Sequence, residues 1–171
     1  MNPRKRISAL SLGLAVMAVA LLAGESAAQT GGALSLVPSD ATTVGLARIS
    51  DLRTSAITGR LFSETDKSID GEAARFMSEA GLKPAEDVDV AVVSLTPTAS
   101  GKPQVLVGFE GRFDPARLAE AIVSRGAIKK ATPNGIYFLL PGDNEEQGSV
   151  AFLSSSLVIA GHESSVASGL A

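Results

Sequence analysis

Three carboxylates that lie close together in the sequence could bind a metal ion. Glu86, Asp87 and Asp89 stand at the start of a valine-rich run, and the two aspartates, two positions apart, fall on one face of a strand. Such oxygen ligands suit calcium or magnesium. The chain offers no EF-hand loop, no bidentate glutamate at the required spacing and no second carboxylate cluster that the sequence places opposite the first. We therefore interpret the three as the solvated start of a strand and predict no cofactor.

The other polar residues lack the partners that catalysis needs. His162 is the one histidine, and no serine, cysteine or acid stands at a motif spacing from it. The three serines 154–156 fit neither a G-x-S-x-G elbow nor an S-x-x-K pair, so a turn explains them. The acidic loop that contains Asp143, Glu145 and Glu146 is expected to aid solubility. We predict no enzyme, because only unpaired carboxylates remain for acid–base work.

The first 28 residues have the pattern of a secretory signal peptide. A basic start at 4–6 precedes an apolar core at 7–23, and small residues lead to a cleavage site between Ala28 and Gln29. An uncleaved membrane anchor is the alternative, because the core has a length near the lower end of the spanning range of roughly 17–25 residues. We expect export to the periplasm or beyond, with membrane contact only if the segment stays attached.

Composition limits what the exported part can do. The chain has no cysteine, which excludes disulfides, thiol nucleophiles and cysteine-bound metals. Three of its 15 basic residues and one of its 18 acidic residues lie in 1–28, so the remainder carries a net charge of about −5. Nucleic acid is therefore not an expected partner. We expect a flexible lead over 29–35 and a single domain over 36–171.

The segment Gln104–Gly126 gives the clearest structural prediction. Its first residues alternate as a strand, and Asp114 followed by Pro115 is typical of a helix N-cap with proline in the first turn. Gly126 can take the left-handed conformation that ends the helix, and Gly81 is expected to end an earlier helix in the same way. We interpret all four capping residues as structural.

The periodicity along the chain predicts an α+β domain. Strands are expected at 42–49, 88–95, 104–109 and 136–140, with a weak strand start at 127–130, a final hairpin at 150–153 and 157–160, and helices near 51–62, 70–80 and 114–126. The order is that of a β-α-β-β-α-β ferredoxin-like plait extended by the hairpin, with the helices on one face of an antiparallel sheet. After His162 the chain either ends in a short docked helix or is truncated before a third one.

Three segments carry a resemblance to exported bacterial proteins of unknown function. They are VPSDATTVGLARISDLRTS (37–55), GLKPAEDVDVAVVSL (81–95) and GFEGRFDPARLAEAI (108–122). In those proteins a strand after P-x-D-A leads to a helix, G-L-x-P-x-x-D-V-D precedes a central strand and G-x-F-D opens the second helix. The resemblance implies a plait-like fold and export, and it brings no active-site residues with it.

The function we predict from sequence is that of an exported, non-enzymatic protein that acts through protein surfaces. An unpaired sheet edge is the expected contact, because it can accept a strand from a partner. A module that binds a small ligand or a divalent metal, through the open sheet face or the three carboxylates, is the alternative. A hydrolase that uses unpaired carboxylates comes third.

Overall fold

The computed structural model describes residues 32–55, 58–59, 71–142 and 147–171. The predicted signal segment and its cleavage site, the start of the lead, residues 60–62 at the end of the helix predicted near 51–62, and the loop residues Asp143, Glu145 and Glu146 lie outside these ranges. The described strands are β1 (Thr43–Arg48), β2 (Val88–Thr96), β3 (Gln104–Gly111), β4 (Ile128–Thr132), β5 (Gly135–Leu139), β6 (Gly148–Phe152) and β7 (Leu157–His162). They form one antiparallel sheet in the order β1-β2-β3-β7-β6-β5-β4.

Helices accompany this sheet, and the fold is α+β as predicted. The described ones are α1 (Ile49–Thr54), α2 (Gly71–Ala80), α3 (Pro84–Asp87), α4 (Pro115–Val123) and α5 (Glu163–Gly169), with a 3-10 helix at Ala33–Leu36. Among the described residues, none of the helices has both the length and the apolar character needed to cross a bilayer.

The helices lie on both faces of the sheet, which corrects the expectation that they cover one. On one face Phe138 and Phe152 pack with Ile122 of α4. On the other face Ile159 packs with Val166 of α5. Both faces are covered because the strands carry apolar residues on both sides, as strands buried on two faces do.

The plait order of the strands is not confirmed. A plait contains a split β-α-β unit, in which another strand lies between the two that a helix connects. Here β1 pairs directly with β2 in an antiparallel register that runs from Thr43 opposite Leu95 to Arg48 opposite Val90. The sheet also extends beyond the plait, because β4 to β7 form a four-stranded meander beside β3.

The segment 104–126 contributes an inner strand of the sheet and the helix that follows it. Its strand β3 lies between β2 and β7, and its helix α4 begins directly after Asp114. The Asp114 carboxylate accepts the amide hydrogens of Ala116 and Arg117, each at 3.1 Å. Pro115 is the first helical residue. These bonds satisfy amides that have no partner inside the helix.

The two predicted stop glycines follow their helices with positive φ. Gly81, at φ 64°, comes directly after α2, and the next amide, that of Leu82, donates to the Met77 carbonyl at 2.9 Å. Gly126, at φ 91°, ends the turn that follows α4. In this left-handed region a side chain is strained, which is why glycine suits both positions.

Replacing Asp114 by alanine is expected to lower the free energy of unfolding by about 1 kcal/mol, because two amides at the start of α4 lose their acceptor. Urea unfolding followed by circular dichroism measures the change. Asp114→Asn is the matched control, since asparagine keeps an oxygen acceptor and is an equally good N-cap. An alanine variant as stable as the parent would show that the cap does not stabilise α4.

Candidate functional site

Each of the three carboxylates considered as metal ligands has a partner within the protein. Glu86 and Asp87 both contact Lys83: the Glu86 carboxylate lies 3.1 Å from Lys83 Nζ, and Asp87 Oδ2 accepts the Lys83 amide hydrogen at 2.7 Å. Asp89 lies between two guanidinium groups, 3.4 Å from Arg53 and 3.5 Å from Arg112. Within the described ranges no group of three or more metal-ligating side chains lies close enough to hold an ion.

The two arginines connect α1 and the end of β3 to the start of β2 through hydrogen bonds. Arg53 of α1 donates from Nη2 to the Val88 carbonyl at 2.7 Å, and Arg112, after β3, donates to the Glu86 carbonyl. Asp89 supplies the negative charge between them. The arrangement explains Asp89 as a structural group that holds α1 and the end of β3 in place.

Glu110 has a structural partner that the sequence pattern did not predict. It accepts the Ala33 amide hydrogen at 2.6 Å, a contact between residues 77 positions apart. Gly108 lies directly beneath the same turn, because a Cβ added there would come within 3.0 Å of the Ala33 Cβ. The end of the predicted lead 29–35 is therefore fixed on the sheet by β3 at Ala33.

A polar cleft lies between α2 and the end of α4. Its volume is about 540 Å³, it is open to solvent, and its lining includes Glu72, Arg75, Glu79 and Arg125. Arg125 is fully engaged: it lies 2.6 Å from the Glu79 carboxylate, donates to the Ala121 carbonyl at 2.9 Å and covers the Phe76 ring at 5.1 Å. These contacts join the two helices, and the lining of the cleft carries two acidic and two basic side chains.

Tyr137 and Glu163 form a short hydrogen bond between their side chains. The buried phenol of Tyr137, on β5, donates to Glu163 Oε1 at 2.6 Å, in the first turn of α5. The hydrogen bond to this carboxylate, then burial, then the negative charge of Glu163 raise the pKa of Tyr137 above its ordinary value. A phenol held in its neutral form donates well but cannot act as a base, so we interpret the pair as an anchor for α5.

His162 and the serine turn show no catalytic arrangement. His162 ends β7 opposite Gly148 and precedes α5 without capping it through its side chain. Ser154 and Ser156 bond to each other at 3.0 Å, and Ser154 Oγ also accepts the Ser156 amide hydrogen at 3.0 Å. The serines therefore close the hairpin between β6 and β7, as expected for turn residues.

The two edge strands of the described sheet differ in chemistry. The edge strand β4 (IKKAT) carries Lys129 and Lys130, both exposed. The edge strand β1 (TVGLAR) has no lysine or proline, and its Val44 and Leu46 side chains are 46% and 37% exposed on the face that carries the 3-10 helix. Lysines on an edge discourage pairing with another strand, so β4 is protected and β1 is open to it.

No protein-family model, no curated protein and no solved structure matches this chain. The resemblance to exported bacterial proteins of unknown function thus stays a prediction, and the same holds for the enzyme, ligand-binding and metal-binding alternatives. The β1 edge differs from the other edge of the described sheet, because its exposed side chains Val44 and Leu46 lie on a strand without lysine.

Proposed function

We propose that this is an exported, non-enzymatic protein that binds an extended segment of another polypeptide at the outer edge of β1. The observation that carries the proposal is the contrast between the two edges: Val44 and Leu46 are exposed on an edge without lysine, whereas Lys129 and Lys130 occupy the other. Edge strands present main-chain donors and acceptors that a partner strand can pair with.

The surroundings of β1 favour an added strand. No described strand pairs with its outer side, and the inner side is fixed to β2 over six residue pairs. Leu46 lies opposite Val92 of β2, which is 2% exposed. A strand added beside β1 would extend this apolar layer, with main-chain hydrogen bonds providing affinity and alternate side chains providing specificity.

Export is the second part of the proposal and is supported by the basic start, apolar core and small residues within 1–28. Mass spectrometry of the protein purified from cells that make the whole chain would measure cleavage. A mature N-terminus at Gln29 is expected. If the purified protein retained residues 1–28, the secreted form would be contradicted and the uncleaved membrane anchor would be supported.

Photocrosslinking from inside the interface tests the docking role. A photoreactive amino acid replaces Val44 in the full chain, and in a matched variant it replaces Ile128, which is 57% exposed on the protected edge β4. Irradiation of cells is expected to join a polypeptide to position 44 and none to position 128. Equal yields at both positions, or none at either, would overturn the proposed function.

A further inference from the structure

The edge strand β1 is complementary to itself, and we infer that the polypeptide it binds is a second copy of this chain. The inference rests on the proposed docking role of the β1 edge and names its partner. In a two-fold symmetric dimer, a residue i of one copy that contacts residue j of the other implies the reverse contact of j with i. A strand that pairs with its own copy must therefore be compatible with its own sequence read in the opposite direction.

The sequence of β1 matches itself around Gly45. When two copies of β1 pair antiparallel about a two-fold axis at Gly45, Val44 of each copy lies opposite Leu46 of the other. An axis one residue earlier would place Leu46 opposite Thr42, and an axis one residue later would place Val44 opposite Arg48. Only the axis at Gly45 gives both exposed apolar side chains an apolar partner.

The same register avoids repulsion between like charges. Arg48 is the one charged residue of β1, and it would lie opposite the neutral Thr42 of the other copy. The symmetry repeats this arrangement at both ends of the contact.

The contact is small, so we expect a dimer that dissociates on dilution. Each copy contributes a strand of six residues. Stable complexes bury about 1,600 Å² in total, and smaller interfaces are typical of weak or transient association. Concentration therefore controls the population of the dimer.

Sedimentation equilibrium of the full chain over a wide concentration range tests the inference. The weight-average mass of the parent is expected to rise from that of one chain towards that of two. Val44→Lys and Leu46→Glu are each expected to raise the dissociation constant by about tenfold or more, because each leaves two unpaired charges against apolar side chains. Ile128→Lys, on β4, is the control and is expected to dimerise like the parent.

Mixing the two charged variants tests the register itself. With the axis at Gly45, the new lysine of V44K would meet the new glutamate of L46E, while the remaining valine and leucine meet each other. The mixture is therefore expected to form a heterodimer that is tighter than the homodimer of either variant. A parent that stays monomeric at every concentration, or a mixture that does not associate, would overturn the inference.

The outcome separates this inference from the proposed function. A monomeric parent whose position 44 crosslinks to a different polypeptide would overturn the second-copy inference and leave the docking role intact. Absence of any crosslink at position 44 would overturn both.

Discussion

Replacing Ile159 by alanine is expected to lower the free energy of unfolding by about 2–5 kcal/mol, the range for large-to-small changes in a well-packed core. Ile159 lies on β7 near the middle of the sheet and is 0% exposed. It packs in one cluster with Leu106, Ala151 and Val166. Its Cδ1 also lies against the end of α5, because a Cβ added to Gly169 would come within 3.0 Å of it. The truncation would leave a cavity between the sheet and α5.

Urea unfolding followed by circular dichroism measures this loss. Ile128→Ala makes the same chemical change at a side chain that is 57% exposed, and it is expected to alter stability by no more than about 0.5 kcal/mol. If the two variants were equally stable, Ile159 would not lie in the core that the structure shows. The fluorescence of Tyr137, the single tyrosine of a chain without tryptophan, gives a second signal from the same face.

Removing the acceptor of Tyr137 is the prediction with the second largest expected effect. Glu163→Ala leaves a buried phenol without its hydrogen-bond partner, which costs about 1–3 kcal/mol. Tyr137→Phe is expected to cost less, because the exposed Glu163 carboxylate can be hydrated when the phenol is gone. Urea unfolding of both variants measures this order, and the reverse order would contradict the anchoring role of the pair.

The same pair predicts a loss of stability at alkaline pH. Because the folded-state pKa of Tyr137 is raised above the unfolded value of about 10, its stabilising effect is complete below that pH. The effect is lost as the pH rises through the folded-state pKa, since the unfolded chain releases its proton first. The free energy of unfolding of the parent should therefore fall more steeply there than that of Tyr137→Phe.

Phenolate absorbance can follow this ionisation directly, since Tyr137 is the one tyrosine in the chain. In the folded protein the titration midpoint should lie above that of the unfolded chain in urea. Glu163→Gln removes the negative charge but keeps an acceptor, so it is expected to lower the midpoint only in part. Identical midpoints in the folded and unfolded chains would contradict the raised pKa.

The helix cap of α4 and the position of β3 could be predicted from the sequence because neighbouring residues determine them. Asp114 and Pro115 stand where α4 begins, since a capping oxygen and a missing amide hydrogen act within one turn. The alternation of apolar residues in 104–109 likewise predicts β3. The weak strand start at 127–130 is a complete strand, β4, because pairing with β5 supplies bonds that the polar sequence does not reveal.

Strand order and helix placement could not be predicted in this way. The apolar residues of β2 fit a neighbour on either side, so the pattern allowed a plait in which another strand separates β1 from β2. For the last helix the sequence left open whether it docks or belongs to a truncated chain, and it did not indicate the face on which α5 packs. Both choices depend on contacts between residues distant in sequence, as the bond from Ala33 to Glu110 also does.

By itself the sequence determined the α+β class, the helix caps, the absence of cysteine chemistry and a pattern for export that stays a prediction. Only the tertiary structure decided that Asp89 lies between Arg53 and Arg112, and that β1 and β4 are the outer strands of the described sheet. The physical reason is the sequence separation of the interacting residues. Helix capping and periodicity depend on residues a few positions apart, whereas a strand lies at the edge of a sheet only when all the other strands have paired with one another.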